Sequence, residues 1–219
     1  MVAIDTGSGE AGGRATHPGA AGPVAGLTRR MGRLASWRVW MASAAVFVVF
    51  AGVFFSSSAS FAIPEVEAAC GQAPLDVRFH STADDVADFL SACGPVGRGA
   101  YRSLQVADLI YPLVFAVFMA SSLAVVLSRL APDRPALVGL AGLALVGGGA
   151  DYLENVFAWR ALAAFPETAS TNALLGIASA VKTLTFWIVG ALLLVSIGAL
   201  VVQRVGRWRR VRSVVRPVA

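Results

Sequence analysis

Charge is scarce in this sequence. Only 14% of its 219 residues are charged, where a soluble globular domain carries about 25%, so much of the chain cannot build an ordinary water-facing surface. Histidine and cysteine are scarcer still. His17 and His80 lie far apart, and the two cysteines, Cys70 and Cys93, share no ligand spacing with them. That leaves no Cys/His cluster for zinc or haem. The chain has no Gly-rich phosphate loop ending in Lys-Ser or Lys-Thr, no His-Glu-x-x-His and no Gly-x-Ser-x-Gly. No catalytic residue, metal or cofactor is therefore assigned. Lysine occurs once, as Lys182, and the other 17 basic residues are arginine.

Apolar residues are plentiful. They make up 57% of the chain, and the mean hydropathy is +0.69. They come in runs of about twenty, the length of helix that crosses a bilayer core of about 30 Å. The expected fold class is therefore all-α: an integral membrane four-helix bundle with a short extracytoplasmic helical cap. A net charge of +5 and a pI near 10.0 would suit nucleic acid. The arginines instead cluster beside the apolar runs, where the positive-inside rule accounts for them, so no nucleic-acid partner is expected.

Residues 1–28 are rich in Gly and Ala and read as a disordered cytoplasmic tail. The membrane domain covers 29–203, with spans at about 39–61, 109–130, 136–158 and 174–202 and an extracytoplasmic loop at 62–106. Trp37 and Trp40 fit an interfacial anchor for the first span. Thr28-Arg29-Arg30 also resembles a twin-arginine export signal, with Ser60-Phe61-Ala62 as a cleavage site. The apolar region is longer than a signal's hydrophobic segment, which favours a retained span. Residues 204–219 form a basic tail through Arg204, Arg207, Arg209, Arg210, Arg212 and Arg216, a candidate contact for anionic lipids. Both ends being basic, both termini are expected in the cytoplasm, which requires an even number of spans. The arginine-heavy, alanine-rich composition points to a bacterial source and so to a bacterial plasma membrane. The bilayer is the one partner the sequence implies.

The loop is acidic and holds both cysteines, so a Cys70–Cys93 disulfide is expected on the oxidising side, as a structural staple rather than a redox pair. Thr82 with Asp85 three positions on makes a weak capping box. Val86, Phe89, Leu90 and Cys93 then follow at helical spacing, and Gly94-Pro95 is expected to end that helix. Arg98, Tyr101, Gln105, Asp108, Tyr111 and Pro112 lie close to one helical line, so the second span is expected to continue outward as a polar helix.

The third span carries Gly147-Gly148-Gly149-Ala150-Asp151-Tyr152-Leu153-Glu154-Asn155. Asp151, Glu154 and Asn155 share one helical face by their spacing, and charges in a span normally meet a partner or a cavity. Asp151 is fifteen residues past Ala136, about 22 Å along a helix. It is thus expected inside the apolar layer, with Glu154 and Asn155 at its outer edge. Lys182 lies at similar depth on the fourth span and is its counter-ion by elimination, with Ser179 and Thr183 beside it. Asp108, Tyr111, Tyr101 and Arg98 join the cluster from the second span and the loop, Arg98 or Arg102 covering Asp108. The first functional reading is a structural one, a polar network that pairs helices. The alternatives are binding of a lipid or small amphiphile from outside, or proton-coupled transport. An intramembrane enzyme comes last, since no nucleophile accompanies the carboxylates.

Leu75-Asp76-x-Arg78-Phe79, Gly94-x-x-Gly97-Arg98-x-x-Tyr101, Asp108-Leu109-Ile110-Tyr111-Pro112, Asp151-x-x-Glu154-Asn155 and Lys182 together resemble a group of small four-span bacterial integral membrane proteins with no established activity. The resemblance covers roughly residues 39–202. It implies a topology and a retained first span, and it groups Arg98, Tyr101 and Asp108 with the third-span cluster. It implies no mechanism.

Overall fold

The computed structural model describes residues 23–215, with side chains from 25 to 210. All regular structure among them is helical. Four segments are long and apolar enough to cross a membrane: Trp37–Ser56, Tyr111–Leu130, Pro135–Ala164 and Asn172–Arg210. Residues 1–22 of the expected tail, with His17, lie outside the described residues, as does Arg216.

Helix α1 (Pro23–Leu34) starts at a proline, which suits a first helical turn. Residues 23–28 are therefore helical, a correction to the expected tail. The helix lies across the arginine-rich end of the spans, against α6 (Tyr111–Leu130) and the 3₁₀ segment Pro135–Gly142. Met31 is buried there, and Gly142 is small enough to receive Leu27. Helix α2 (Trp37–Ser56) is the first long apolar helix and stops at Ser56, short of the expected boundary. It packs on α6 through a hydroxyl seam: Trp40 Nε1 donates to Ser122 Oγ at 3.0 Å, and Ser43 and Ser121 share a 2.9 Å hydrogen bond. Phe47 stacks on Phe118 with ring centroids 4.6 Å apart. Trp40 is thus an interhelical hydrogen-bond donor. Ala62, at the suggested cleavage site, is fully buried.

The loop is far more ordered than one amphipathic helix. It contains α3 (Ile63–Cys70), a 3₁₀ turn at Leu75–Val77, α4 (Ala83–Ala92) and α5 (Gly94–Ala107). Pro64 in the first turn starts α3, and Gly71, at φ 70°, ends it in the left-handed conformation. The Thr82/Asp85 capping box is complete: Thr82 N–H donates to Asp85 Oδ2 at 2.7 Å, and Asp85 N–H donates to Thr82 Oγ1 at 3.1 Å. Gly94-Pro95 ends α4 as expected, yet it also begins α5: Gly94 takes φ 58° and Pro95 fills the first turn. Cys70 and Cys93 are bonded, with sulfurs 2.08 Å apart. Gly97 lies under the bridge, where an added Cβ would come within 3.0 Å of Cys70 Sγ.

Helix α5 does not run on into α6. The chain breaks at 108–110, and Pro112 starts α6 afresh. Pro132 and Pro135 then separate α6 from the next segment, which opens as 3₁₀ over Pro135–Gly142 before α7 (Leu143–Ala164). Helix α8 (Asn172–Val215) contains no proline and runs for 44 residues, about 66 Å. It carries the described part of the basic tail as continuous helix. The most extensive pairing is α7 with α8, and α6 packs on both. Gly147 faces the Phe186 ring and Gly148 faces Ala116, each leaving no room for a Cβ.

Two apolar cores result. One joins α3, α4 and α5 to the ends of α2, α7 and α8 through Val66, Leu75, Phe89, Leu104, Ala158 and Leu175. The other joins α1, α6, the 3₁₀ segment, α7 and α8 through Met31, Leu123, Leu127, Val138, Ala144 and Val189. A layer of buried polar side chains separates them.

A buried ion cluster under the cap

That layer is centred on Lys182. Its Nζ meets Asp151 Oδ1 at 3.3 Å, contacts the Glu154 carboxylate, and donates to the backbone carbonyl of Asp76 at 2.9 Å. Three elements thus converge on one ammonium: α8 supplies the lysine, α7 both carboxylates, and the 3₁₀ turn of the cap the carbonyl. Glu154, expected at the outer edge, is as fully enclosed by protein as Asp151. It also accepts a hydrogen bond from Ser179 Oγ, which α8 presents one turn before Lys182. The reason is the cap: the turn at Leu75–Val77 and the segment at Ser81 cover the end of α7–α8, so what sequence counting left at a water boundary is enclosed. Length works the other way: the 3₁₀ start of this segment rises about 2.0 Å per residue, which puts Asp151 about 26 Å from Ala136 rather than 22 Å and Glu154 farther out still, so the enclosure is the cap's doing.

Asp108 caps the end of α5 and is 3% exposed. Asn155 Nδ2 donates to its backbone carbonyl at 2.9 Å, which ties the α5–α6 break to α7. Its carboxylate Oδ2 has no hydrogen-bond partner. Burial, then the Asp151 and Asp76 charges, push the Asp108 carboxyl well above the usual carboxylate range. Tyr111, at the start of α6, stacks on Phe54 at 5.2 Å and on Phe115 at 5.7 Å.

Tyr101 lies one step away, buried edge-to-face against Phe89 at 5.0 Å. Its hydroxyl faces the Asp76 carboxylate without making a hydrogen bond, and burial with that charge holds it well above the ordinary tyrosine range. Arg98 does not belong to the cluster. Its Nη1 donates to Leu90 O at 2.9 Å and its guanidinium lies 4.2 Å over the Phe165 ring. It covers the cap core and leaves Asp108 uncovered. Asp76 is the participant the loop reading missed. Its side chain accepts from Gln105 Nε2, and its other oxygen, Oδ2, is unpartnered. The one signal in the sequence was its place beside Arg78; Arg78 in fact turns away to Gln72 and the Ala73 carbonyl.

Two cavities border the cluster. A groove of about 290 Å³ runs between α6 and α8, walled by Tyr111, Phe115, Phe186 and Trp187, with Asp151, Lys182 and Thr183 at its head. A chamber of about 40 Å³ lies under the cap and is lined by Asp76, Asp108, Asp151 and Lys182 together with Phe54 and Tyr111. Tyr111, Asp151 and Lys182 border both. Among the described residues no group of three or more His, Cys, Asp or Glu side chains is arranged to hold a metal ion. The Lys182 ammonium occupies the place a cation would take between Asp151 and Glu154.

No family model, curated protein or solved structure matches this chain.

Proposed function

We propose that this is a multi-pass protein of a bacterial plasma membrane, a four-helix bundle with both termini in the cytoplasm and the disulfide-bonded cap outside. Support comes from the side chains turned outward. Only 6% of the apolar window of α2 is buried within the protein, against 50% for α6. Val46, Val48, Val49 and Val53 on α2 and Leu194, Val195 and Val202 on α8 are exposed. Such a surface is costly in water and ordinary in lipid. Lys182 and Arg204 are 22 residues apart on α8, about 33 Å, one bilayer core. The exposed Arg204, Arg207 and Arg209 beyond it would meet anionic headgroups. A membrane-impermeant thiol reagent applied to intact cells should label a cysteine placed at Ser57 and spare one at Gln203; the reverse pattern overturns the orientation.

Within that frame the cluster is a structural lock. The observation that carries this is the single ammonium shared by Asp151, Glu154 and the Asp76 carbonyl. Breaking one buried ion pair leaves uncompensated charge, about 3–5 kcal/mol in soluble proteins. The exchanged pair Glu154→Lys with Lys182→Glu should recover more than half of the stability that either single change loses in detergent. No recovery would show that the contact does not set helix pairing.

A second reading is favoured by the groove. Its apolar walls and charged head suit a small amphiphile entering from the bilayer side. Thr183→Trp should fill the groove without touching the ion pair, and displacement of a bound amphiphile by that change is the test.

A further inference from the structure

The amphiphile reading leaves open what head group the site takes, and the charge count around Lys182 bears on this. Four carboxyl groups, those of Asp76, Asp108, Asp151 and Glu154, surround one ammonium. Lys182 is committed to Asp151, Glu154 and the Asp76 carbonyl. Among the described residues no second cation pairs with these acids. The side chains left over are Asp76 and Asp108, and both line the chamber. Asp108 is 3% exposed, and its Oδ2 has no partner. Asp76 Oδ2 likewise makes no hydrogen bond, although the Tyr101 hydroxyl faces that carboxylate, so Asp108 is the stronger case of the two. Buried carboxylate oxygens without donors are rare and costly, and they mark a place for a missing donor.

The chamber's size limits that donor. About 40 Å³ admits a small head group and not a bulky one. A primary ammonium is small and brings three N–H donors with its charge. A trimethylammonium is bulkier and brings none, so it would leave both carboxylate oxygens without a donor. The adjoining groove supplies the wall for an apolar body, with aromatic faces at Tyr111, Phe115, Phe186 and Trp187 that suit both burial and a nearby cation.

Resting on the groove reading, we propose that the protein binds a single-chain amphiphile with a primary ammonium head, the head in the chamber between Asp76 and Asp108 and the chain along the α6–α8 groove. A phospholipid amine fits less well, because its phosphate would add negative charge beside an existing acid excess. The occupant of the site is thus a free amphiphilic amine.

The test uses the full-length protein in phosphatidylcholine nanodiscs, with empty nanodiscs as the blank. Four probes of one chain length are compared: decylammonium, decyltrimethylammonium, decanol and decyl sulfate. Decylammonium should bind saturably and about tenfold or more tighter than each of the others. Asp108→Asn should weaken it about tenfold, and Thr183→Trp should abolish it. If Asp108→Asn does not fold, Asp76→Asn replaces it, since Asp76 is partly exposed. Equal binding of decanol or decyl sulfate would overturn the charge assignment while leaving the groove reading in place. Equal binding of decyltrimethylammonium would overturn the chamber as the seat of the head. Unchanged affinity in the aspartate variants would do the same. Saturable binding by none of the four would remove the groove reading and this inference together.

Discussion

Gly176 offers the sharpest check on how the cap sits on the spans. It lies in the second turn of α8, directly beneath Ser81 of the cap. A Cβ built on it would stand 2.8 Å from the Ser81 amide nitrogen and overlap the Ser81 carbonyl oxygen. Both atoms are backbone, and the segment cannot swing aside cheaply, because the Thr82/Asp85 capping box and α4 begin at the next residue. Gly176→Ala sets two effects against each other. In a helix interior, alanine is better than glycine by about 1 kcal/mol. Overpacking a filled site costs about 1–3 kcal/mol, and backbone on the far side favours the upper end. The expected net result is a loss of about 1–2 kcal/mol. Gly190→Ala and Gly198→Ala lie on the same helix with open space around them, so they keep the propensity gain and should be neutral or stabilising. Unfolding by sodium dodecyl sulfate titration, followed by circular dichroism, gives the three values on one scale. Hydrogen exchange at Ser81 and Thr82 should also speed up in Gly176→Ala alone. If Gly176→Ala matches Gly190→Ala in stability, the cap is not seated on α8 as described.

The same logic applies inside the spans: Gly148→Ala, where the Cβ would lie 2.9 Å from Ala116 Cβ, should weaken the α6–α7 contact, while Gly149→Ala, in open space, should not; a ranking in the opposite order would refute the packing. Reducing the Cys70–Cys93 bridge opens a 23-residue separation and should cost about 3 kcal/mol by loop entropy, read as a lower unfolding temperature with reductant that a Cys70→Ser, Cys93→Ser double variant does not show. Hydrogen bonds from the Thr82 backbone N–H and hydroxyl hold the Asp85 carboxyl below the usual range. A depressed folded-state pKa stabilises above the unfolded value, near pH 4, and that contribution is lost as pH falls through the lowered one. Asp85→Asn should therefore flatten the acid limb of cap stability, measured by hydrogen exchange in α4; an unchanged limb would count against the box.

Much of this molecule was legible from one-dimensional signals. Four apolar runs mark the four long helices, because length and composition decide whether a helix can cross lipid. The Cys70–Cys93 pairing followed from there being two cysteines in one loop. The meeting of Asp151 with Lys182 followed from scarcity, since a buried acid needs a cation and the spans contain one lysine. Spacing also put Glu154 and Asn155 on the same face as Asp151, where both are found turned into protein.

What failed did so for a common reason. The unbroken helix expected through Arg98, Tyr101, Asp108 and Tyr111 stops at 108–110; Asp108 and Tyr111 still reach the cluster's cavities, while Arg98 goes to Phe165 and the Leu90 carbonyl. Periodicity describes a helix only as far as it runs unbroken. Asp76 is one of several acids in the loop, and nothing local says that its turn is laid over Lys182. Glu154 was counted to a membrane edge, but its burial comes from the cap above it rather than from its depth.

The sequence by itself determined the all-α class, the four long apolar helices, the disulfide and the chief ion pair, since run length, charge scarcity and residue pairing need no knowledge of distant contacts. Only the tertiary structure decided that the lysine is shared by three elements, that Asp76 and Asp108 are left with unpartnered oxygens, and that a groove opens beside them. The shared lysine and the unpartnered oxygens arise where the cap docks on α7 and α8, and the groove where α6 meets α8. Docking joins residues some hundred positions apart, such as Asp76 and Lys182, and no local pattern records it.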